Sequence, residues 1–255
     1  MEKIILVIFT LLPLTIIGQI SDTTKTKGIA VGLTFSPDYC YRTLIPDNSN
    51  LSKGTVDLRD SIEIPKIGFS AGVSVFYEFS KRINIEIGLQ FSDKGKKIEI
   101  DYSELTFGDL IDTRYGFVYS ISGQDLPASV TVINKYQHLD FPVKVNYSII
   151  SKKMKFFLTT GISTNVFLAY KTTAIKKYSD GKTERNTSSS DYYDFSKVNF
   201  AFIGGLGMEY TLANKLGFRL EPIYRRSINS IIDAPIKSYL YSFGINIGIF
   251  YKLGV

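Results

Sequence analysis

The chain has 255 residues, enough for one sizeable domain, with 14% aromatic residues and 20 glycines. Its net charge of +6 comes from 30 basic and 24 acidic residues scattered along the sequence, so no concentrated basic footprint for nucleic acid is present. One cysteine, Cys40, excludes an intramolecular disulfide and argues against a thiolate metal site.

The chain starts Met1-Glu2-Lys3 and continues IILVIFTLLPLTIIG, a charged start, an apolar core and a small residue, Gly18, before Gln19. This pattern reads as a secretory signal peptide over residues 1–18, which leaves 19–255 as the mature domain. The residue directly after the cleavage point is Gln19 and not cysteine, so a lipoprotein is not expected. Beyond Gln19 nothing approaches the run of about 18 apolar residues that a membrane helix needs, so insertion in a bilayer must use strands.

The first expected strand, Ile29 to Tyr41, sets Ile29, Val31, Leu33, Phe35, Tyr39 and Tyr41 against Ala30, Gly32, Thr34 and Ser36. A polar loop is expected from Thr43 to about Lys66, on the turn signals DNSN and SKG. The second strand, Ile67 to Phe79, and the third, Ile83 to Phe91, are joined by a tight turn at Ser80-Lys81-Arg82 and repeat the period of two. The region from Asp93 to about Tyr136 carries β-like pieces (KKIEIDYS, RYGFVYSIS, SVTVIN), expected to form strand extensions or a hairpin above a membrane.

The fourth strand is His138 to Ile149, and a short turn at Ser151 to Lys153 leads into the fifth, whose apolar face runs from Phe156 through Leu168 to Tyr170. A long polar loop, Lys171 to Lys197, contains SDGKTERNTSSS and is expected to be mobile. The sixth strand includes Phe200, Phe202, Leu206, Met208, Tyr210 and Leu212 on one face, and Ala213-Asn214-Lys215 turns into the seventh, Leu216 to Arg225. The last, YLYSFGINIGIFYKL from Tyr239 to Leu253, alternates bulky apolar residues with Ser242, Gly244, Asn246 and Gly248. Connections alternate long and short, the asymmetry of barrels with short periplasmic turns and longer external loops. The expected fold is all-β: an eight-stranded antiparallel up-and-down transmembrane β-barrel with long external loops.

Alternation alone does not separate such a barrel from a secreted soluble one with its greasy face inward. Residue types decide between them. The polar face is rich in Gly, Ser, Asn and Ala, as expected where side chains share a narrow lumen. The exterior of a soluble barrel has no need of strand-weakening glycine. Tyr39, Tyr41, Phe91, Tyr170, Phe200, Tyr224, Tyr239 and Tyr241 fall near one rim, and Phe79, Tyr147, Phe156, Tyr210 and Tyr251 near the other. Two aromatic girdles around an aliphatic band are a membrane signature.

Parity directs Glu78, Glu86, Asp140, Glu209 and Glu221 inward together with Lys144, Lys155, Arg219, Arg225 and Lys252. Matched charges in a narrow lumen point to a hydrogen-bonded plug, with Glu86, Asp140, Lys144, Glu209, Arg219, Glu221 and Arg225 as its candidate network. A regular hairpin would place Glu209 opposite Arg219. The alternative is an ion path. For catalysis, the single histidine, His138, lies near Asp140 without a recognisable motif, and a non-enzymatic chain is expected. Asp47, Asp191 and Asp194 lack the ligand series of a calcium loop, so neither metal nor cofactor is expected.

Five stretches follow one another along the chain: GLTFSP (Gly32 to Pro37) with Tyr41-Arg42, LDFPVKVNY (Leu139 to Tyr147) followed by Gly161, GLGMEY (Gly205 to Tyr210), LEPIY (Leu220 to Tyr224) and SFGINIG (Ser242 to Gly248). Together they resemble the PorT-like outer-membrane β-barrel family of Bacteroidota. The resemblance implies an eight-stranded barrel in the outer-membrane bilayer, placed there by the outer-membrane insertion machinery. It further implies a structural or secretion-associated role, with a partner at the external loops or in type IX secretion. A departure is the end of the chain, where Leu253-Gly254-Val255 replaces the terminal aromatic that such machinery commonly reads. The alternatives are a narrow pore for small solutes and a barrel-embedded lipid-modifying or proteolytic enzyme.

Overall fold

The computed structural model describes residues 28–101, 127–151, 154–189, 195–212 and 215–253. The expected signal peptide, the RYGFVYSIS piece and the Asp191 and Asp194 carboxylates lie outside the described residues. The elements are β1 (Ile29–Ile45), α1 (Asn50–Ile62), β2 (Glu63–Glu78), β3 (Ile83–Asp101) and β4 (Ser129–Ser151), then β5 (Met154–Lys177), β6 (Thr183–Ser189), β7 (Val198–Thr211), β8 (Leu216–Ser227) and β9 (Lys237–Lys252).

Antiparallel neighbours run β4-β3-β2-β1-β9-β8-β7-β5, and β4 also pairs with β5, so eight strands close into a ring, while β6 pairs with β5 alone among the described residues. The closing seam joins the ends of the chain, with Leu33 opposite Ile249 and Phe35 opposite Ile247. The bulky residues face outward: Leu33, Ile67 and Leu206 are 68%, 71% and 59% exposed. The charges face the axis, with Glu221 and Lys144 only 0% and 1% exposed. This is the reverse of a water-soluble barrel, because so wide an apolar exterior is stable only against hydrocarbon.

Three expectations need correction. The segment after β1 is not all loop but holds α1. Ser49 accepts a hydrogen bond from the Ser52 amide at 3.1 Å, so part of the DNSN turn signal is a helix N-cap. The segment 171–197 is not simply a mobile loop either. β5 continues to Lys177, and β6 pairs back on it from Thr183↔Lys177 to Ser189↔Lys171. Finally, Tyr170 does not belong to the lipid-facing row. The β4–β5 register shifts at Gln137/His138, with His138 opposite Phe167 and Gln137 opposite Ala169, and this bulge turns every later β5 side chain to the other face. Tyr170 therefore stacks on the buried Tyr136, with ring centroids 5.2 Å apart.

β3 and β4 run well past the lipid-facing band, from Ser92↔His138 to Asp101↔Ser129, and form a wall above it. Within this collar, buried Ile98, Val130 and Val132 pack with Ile62 and Ile100 into an apolar cluster beside the end of α1.

Candidate functional site

The lumen is filled in layers, and the periplasmic end is closed first. Phe76, Phe250 and Ala30 make an apolar cluster, with Phe157 buried nearby. Glycine makes room for these rings. A Cβ at Gly207 would collide with the Phe157 ring, and one at Gly217 with the Phe250 ring. Below the plate, Lys155 pairs with Glu78 at 3.1 Å and approaches Glu209 at 3.7 Å.

Above the plate sits a four-membered ion cluster. The Lys144 ammonium lies 2.8 Å from Glu86 and 3.1 Å from Glu221, and the Arg219 guanidinium lies 3.3 Å and 3.5 Å from the same two carboxylates. Two cations thus face two anions. Neutral side chains add to the shell: Asn246 donates to Glu221 at 3.0 Å, Thr159 donates to Glu221 at 2.6 Å, and Asn146 accepts from Arg219 at 2.9 Å. The Arg219 guanidinium also lies over the Phe157 ring at 3.9 Å, joining the charge layer to the aromatic plate. Removal of these charges from water is expensive, and mutual pairing backed by these hydrogen bonds is what offsets it, while Arg219 Nε and Asn246 Oδ1 are buried without a partner among the described residues.

The next layer pairs Arg225 with Asp38 at 2.8 Å, while Ser36 and Ser70 donate to the same carboxylate at 2.7 and 2.5 Å. Gly244 is required here, because a Cβ would occupy the place of the Asp38 carboxylate. Higher still, Lys94 pairs with Asp140 at 2.9 Å, Lys66 pairs with Asp93, and the buried His138 ring packs edge-on against Phe167.

Of the seven candidate charges, then, Glu86, Lys144, Arg219 and Glu221 meet in one cluster, and Asp140, Arg225 and Glu209 each meet a different partner. Glu209 is opposite Arg219 in the β7–β8 register, yet it turns toward Lys155 while Arg219 reaches the central carboxylates. Sequence reasoning missed Asp38, Lys66, Lys94 and Asp93. Asp38 was within reach, because it shares parity with Thr34 and Ser36. Asp93 was not, because its place follows from a register shift between Pro65 and Phe69.

Above the lipid-facing band, a second cluster ties α1 to the barrel. Glu63, at the C-cap of α1, accepts from Arg42 at 2.6 Å and from Arg59 at 2.8 Å, and pairs with Lys96; Arg42 also pairs with Asp60. Burial pushes the Glu63 carboxyl up, but Lys96 and Arg59 outweigh it and hold the group below its ordinary 4.5. Burial pulls Lys96 down to about 8 against the opposing attraction of Glu63. A carboxyl whose folded value is depressed stabilises the fold above the unfolded value and loses that contribution as pH falls through the folded one. Amide-exchange protection of residues 50–62 is therefore expected to hold at neutral pH and to fall once pH drops below 4.5. Glu63→Gln should flatten that dependence.

A family model described as "Outer membrane protein beta-barrel domain" matches residues 18–233. No curated protein matches the sequence. Among solved structures, the outer membrane protein OprG from Pseudomonas aeruginosa is 13% identical over 91% of this chain and 98% of its own, with a TM-score of 0.44. Neisserial surface protein A is 11% identical over 86% and 95%, with a TM-score of 0.41. The outer membrane protease OmpT from Escherichia coli is 8% identical over 92% and 99%, with a TM-score of 0.42. The assignment rests on the family match, which spans most of the sequence and agrees with the closed ring and its inverted faces. The chain belongs to the outer-membrane protein β-barrel domain family and resides in the outer membrane.

Proposed function

We propose that the protein is a closed, non-enzymatic barrel whose transmembrane part is a scaffold for the structure it raises above the membrane. The single observation that carries this reading is the buried Lys144–Glu86–Glu221–Arg219 cluster seated on the Phe76/Phe157/Phe250 plate. Small barrels fill their own interiors with side chains, and this one does so with charges that neutralise each other and leave no stepwise ladder of sites for an ion. A secretion-associated role of the kind the PorT-like resemblance implies fits a scaffold whose partner docks on the external side. Delivery by the outer-membrane insertion machinery fits the same reading.

Absence of catalysis is part of the proposal. Ser92 faces His138 across the β3–β4 ladder and Asp140 lies two residues on, but all three are buried, so a substrate has no route to them. A nucleophile works only where the reacting carbonyl can reach it.

The second reading, a narrow pore, is favoured by a polar recess of about 370 Å³ at the periplasmic mouth, lined by Glu78, Asn84, Lys155, Glu209 and Arg219 among others. Single-channel recording on protein reconstituted in planar bilayers distinguishes the two. The scaffold reading expects silence, with steps emerging only when Phe157→Ala and Arg219→Ala are combined. Discrete steps from the unaltered protein would establish the pore instead.

A further inference from the structure

A cavity of about 470 Å³ opens at the external mouth, away from the lumenal charge layers. Its floor is aromatic: Tyr136, Tyr170 and Phe195 pack together, with Tyr170 and Phe195 centroids 5.1 Å apart and Tyr136 and Phe195 centroids 5.7 Å apart. One wall is α1, through Leu51, Thr55 and Arg59. The facing wall is the segment 231–238, with Ile232, Ala234 and Pro235.

The walls are held by backbone bonds, so the cavity is formed before any ligand arrives. The Asp47 amide donates to the Pro235 carbonyl at 3.0 Å, the Ile231 amide to Ser238 at 2.9 Å, and the Ser196 amide to Ile231 at 3.0 Å. Its volume lies in the range of small-molecule sites, roughly 300–1,000 Å³.

Two cations, Arg59 and Lys96, line the same cavity. Both already share Glu63 with Arg42, and Asp60 is the other carboxylate in that cluster. Among the described residues, three cations against two carboxylates leave this cluster with one surplus positive charge. Consistently, Arg42 Nη2 is buried without a hydrogen-bond partner among the described residues. Glu63 is divided three ways, which leaves donor capacity on Arg59 and Lys96 for a further anion.

We propose that this cavity is a binding site for a small organic anion with a flat apolar ring, an aromatic carboxylate in class. The ring stacks on the Tyr136/Tyr170/Phe195 floor, and the carboxylate lies against Arg59 and Lys96, where it neutralises the surplus charge. This goes beyond the scaffold reading and does not rest on it, since an external vestibule binds equally well over an open or a closed lumen.

The test is calorimetric titration of the full chain in lipid nanodiscs with 1-naphthoate, with empty nanodiscs as the blank and the neutral 1-naphthamide as comparison. Naphthoate is expected to bind at least about tenfold more tightly than the amide, and Arg59→Gln is expected to remove about that factor. Ala234→Trp, which fills the cavity and leaves every charge in place, should abolish binding of both probes. Heat-dependent migration on gels checks that each variant is folded. Equal affinity for acid and amide, no binding of naphthoate at millimolar concentration, or binding that survives Ala234→Trp would each overturn the proposal. The last two outcomes are readable even where Arg59→Gln disturbs α1.

Discussion

Lys144→Ala should lower the free energy of unfolding by about 3–5 kcal/mol, the largest effect expected of any single lumenal substitution. Among the described residues Lys144 is the only ammonium between Glu86 and Glu221 in the central cluster, and it is almost wholly enclosed. Its removal leaves two buried carboxylates sharing one guanidinium. The recess at the periplasmic mouth reaches Arg219 but is not lined by Lys144, Glu86 or Glu221, and Phe157 and Phe76 pack against Arg219 on that side. The size of the loss reflects stranded charge more than the worth of the pair itself, and a second variant separates the two. Glu86 and Lys144 face each other across the β3–β4 ladder. Replacing both with methionine leaves Arg219 and Glu221 as a balanced pair, and most of the lost stability should return. Urea unfolding in phospholipid vesicles reads both variants. A harmless Lys144→Ala would mean that the cluster is solvated, and the closed lumen would have to be abandoned.

Ile247→Lys tests the opposite face. Ile247 lies at mid-strand, opposite Phe35 on one side and Leu220 on the other, and points away from the axis. On a surface bathed in water, lysine there would be innocuous. At the depth of the hydrocarbon midplane it should cost about 2–4 kcal/mol, whereas Ile45→Lys, beyond the lipid-facing band, should cost no more than about 1 kcal/mol. The contrast between the two sites is the measurement, again by unfolding in vesicles. Equal and small effects would count against a bilayer around this band.

Much of the wall was legible because strand geometry writes itself into sequence with a period of two, and a bilayer makes the two faces chemically opposite. Gly244, Asn246 and Gly248 between Phe243, Ile245, Ile247 and Ile249 are enough to orient β9. The helix α1 was hidden by its composition. Asn50, Ser52, Gly54 and Asp57 are residues of turns as much as of helices, and Ser49 became a cap only through its bond to Ser52. Tyr170 was misplaced because a single bulge inverts parity and leaves no mark in the pattern of residue types.

The candidate charges were legible as inward-facing, but their partners were not. Lys144 and Glu221 are separated by 77 positions, and Asp38 and Arg225 by 187. Which inward charge meets which depends on strand tilt and on the stagger at which the ring closes, quantities that no local stretch encodes. The same holds for Glu63, Lys94 and Lys96, which lie where the strands outrun the bilayer and the alternating signal gives way to ordinary burial.

The prolonged β3–β4 pair has a mechanical consequence. From Leu139 to Ser129 the β4 strand covers ten residue steps beyond the band, roughly 34 Å of chain at 3.4 Å per residue. Tilted by about 40°, that is a rise of roughly 25 Å. Lipid headgroups occupy only about 5–8 Å of each leaflet. The top of this turret therefore stands free in the medium outside the cell, within reach of an antibody or protease that never crosses the envelope.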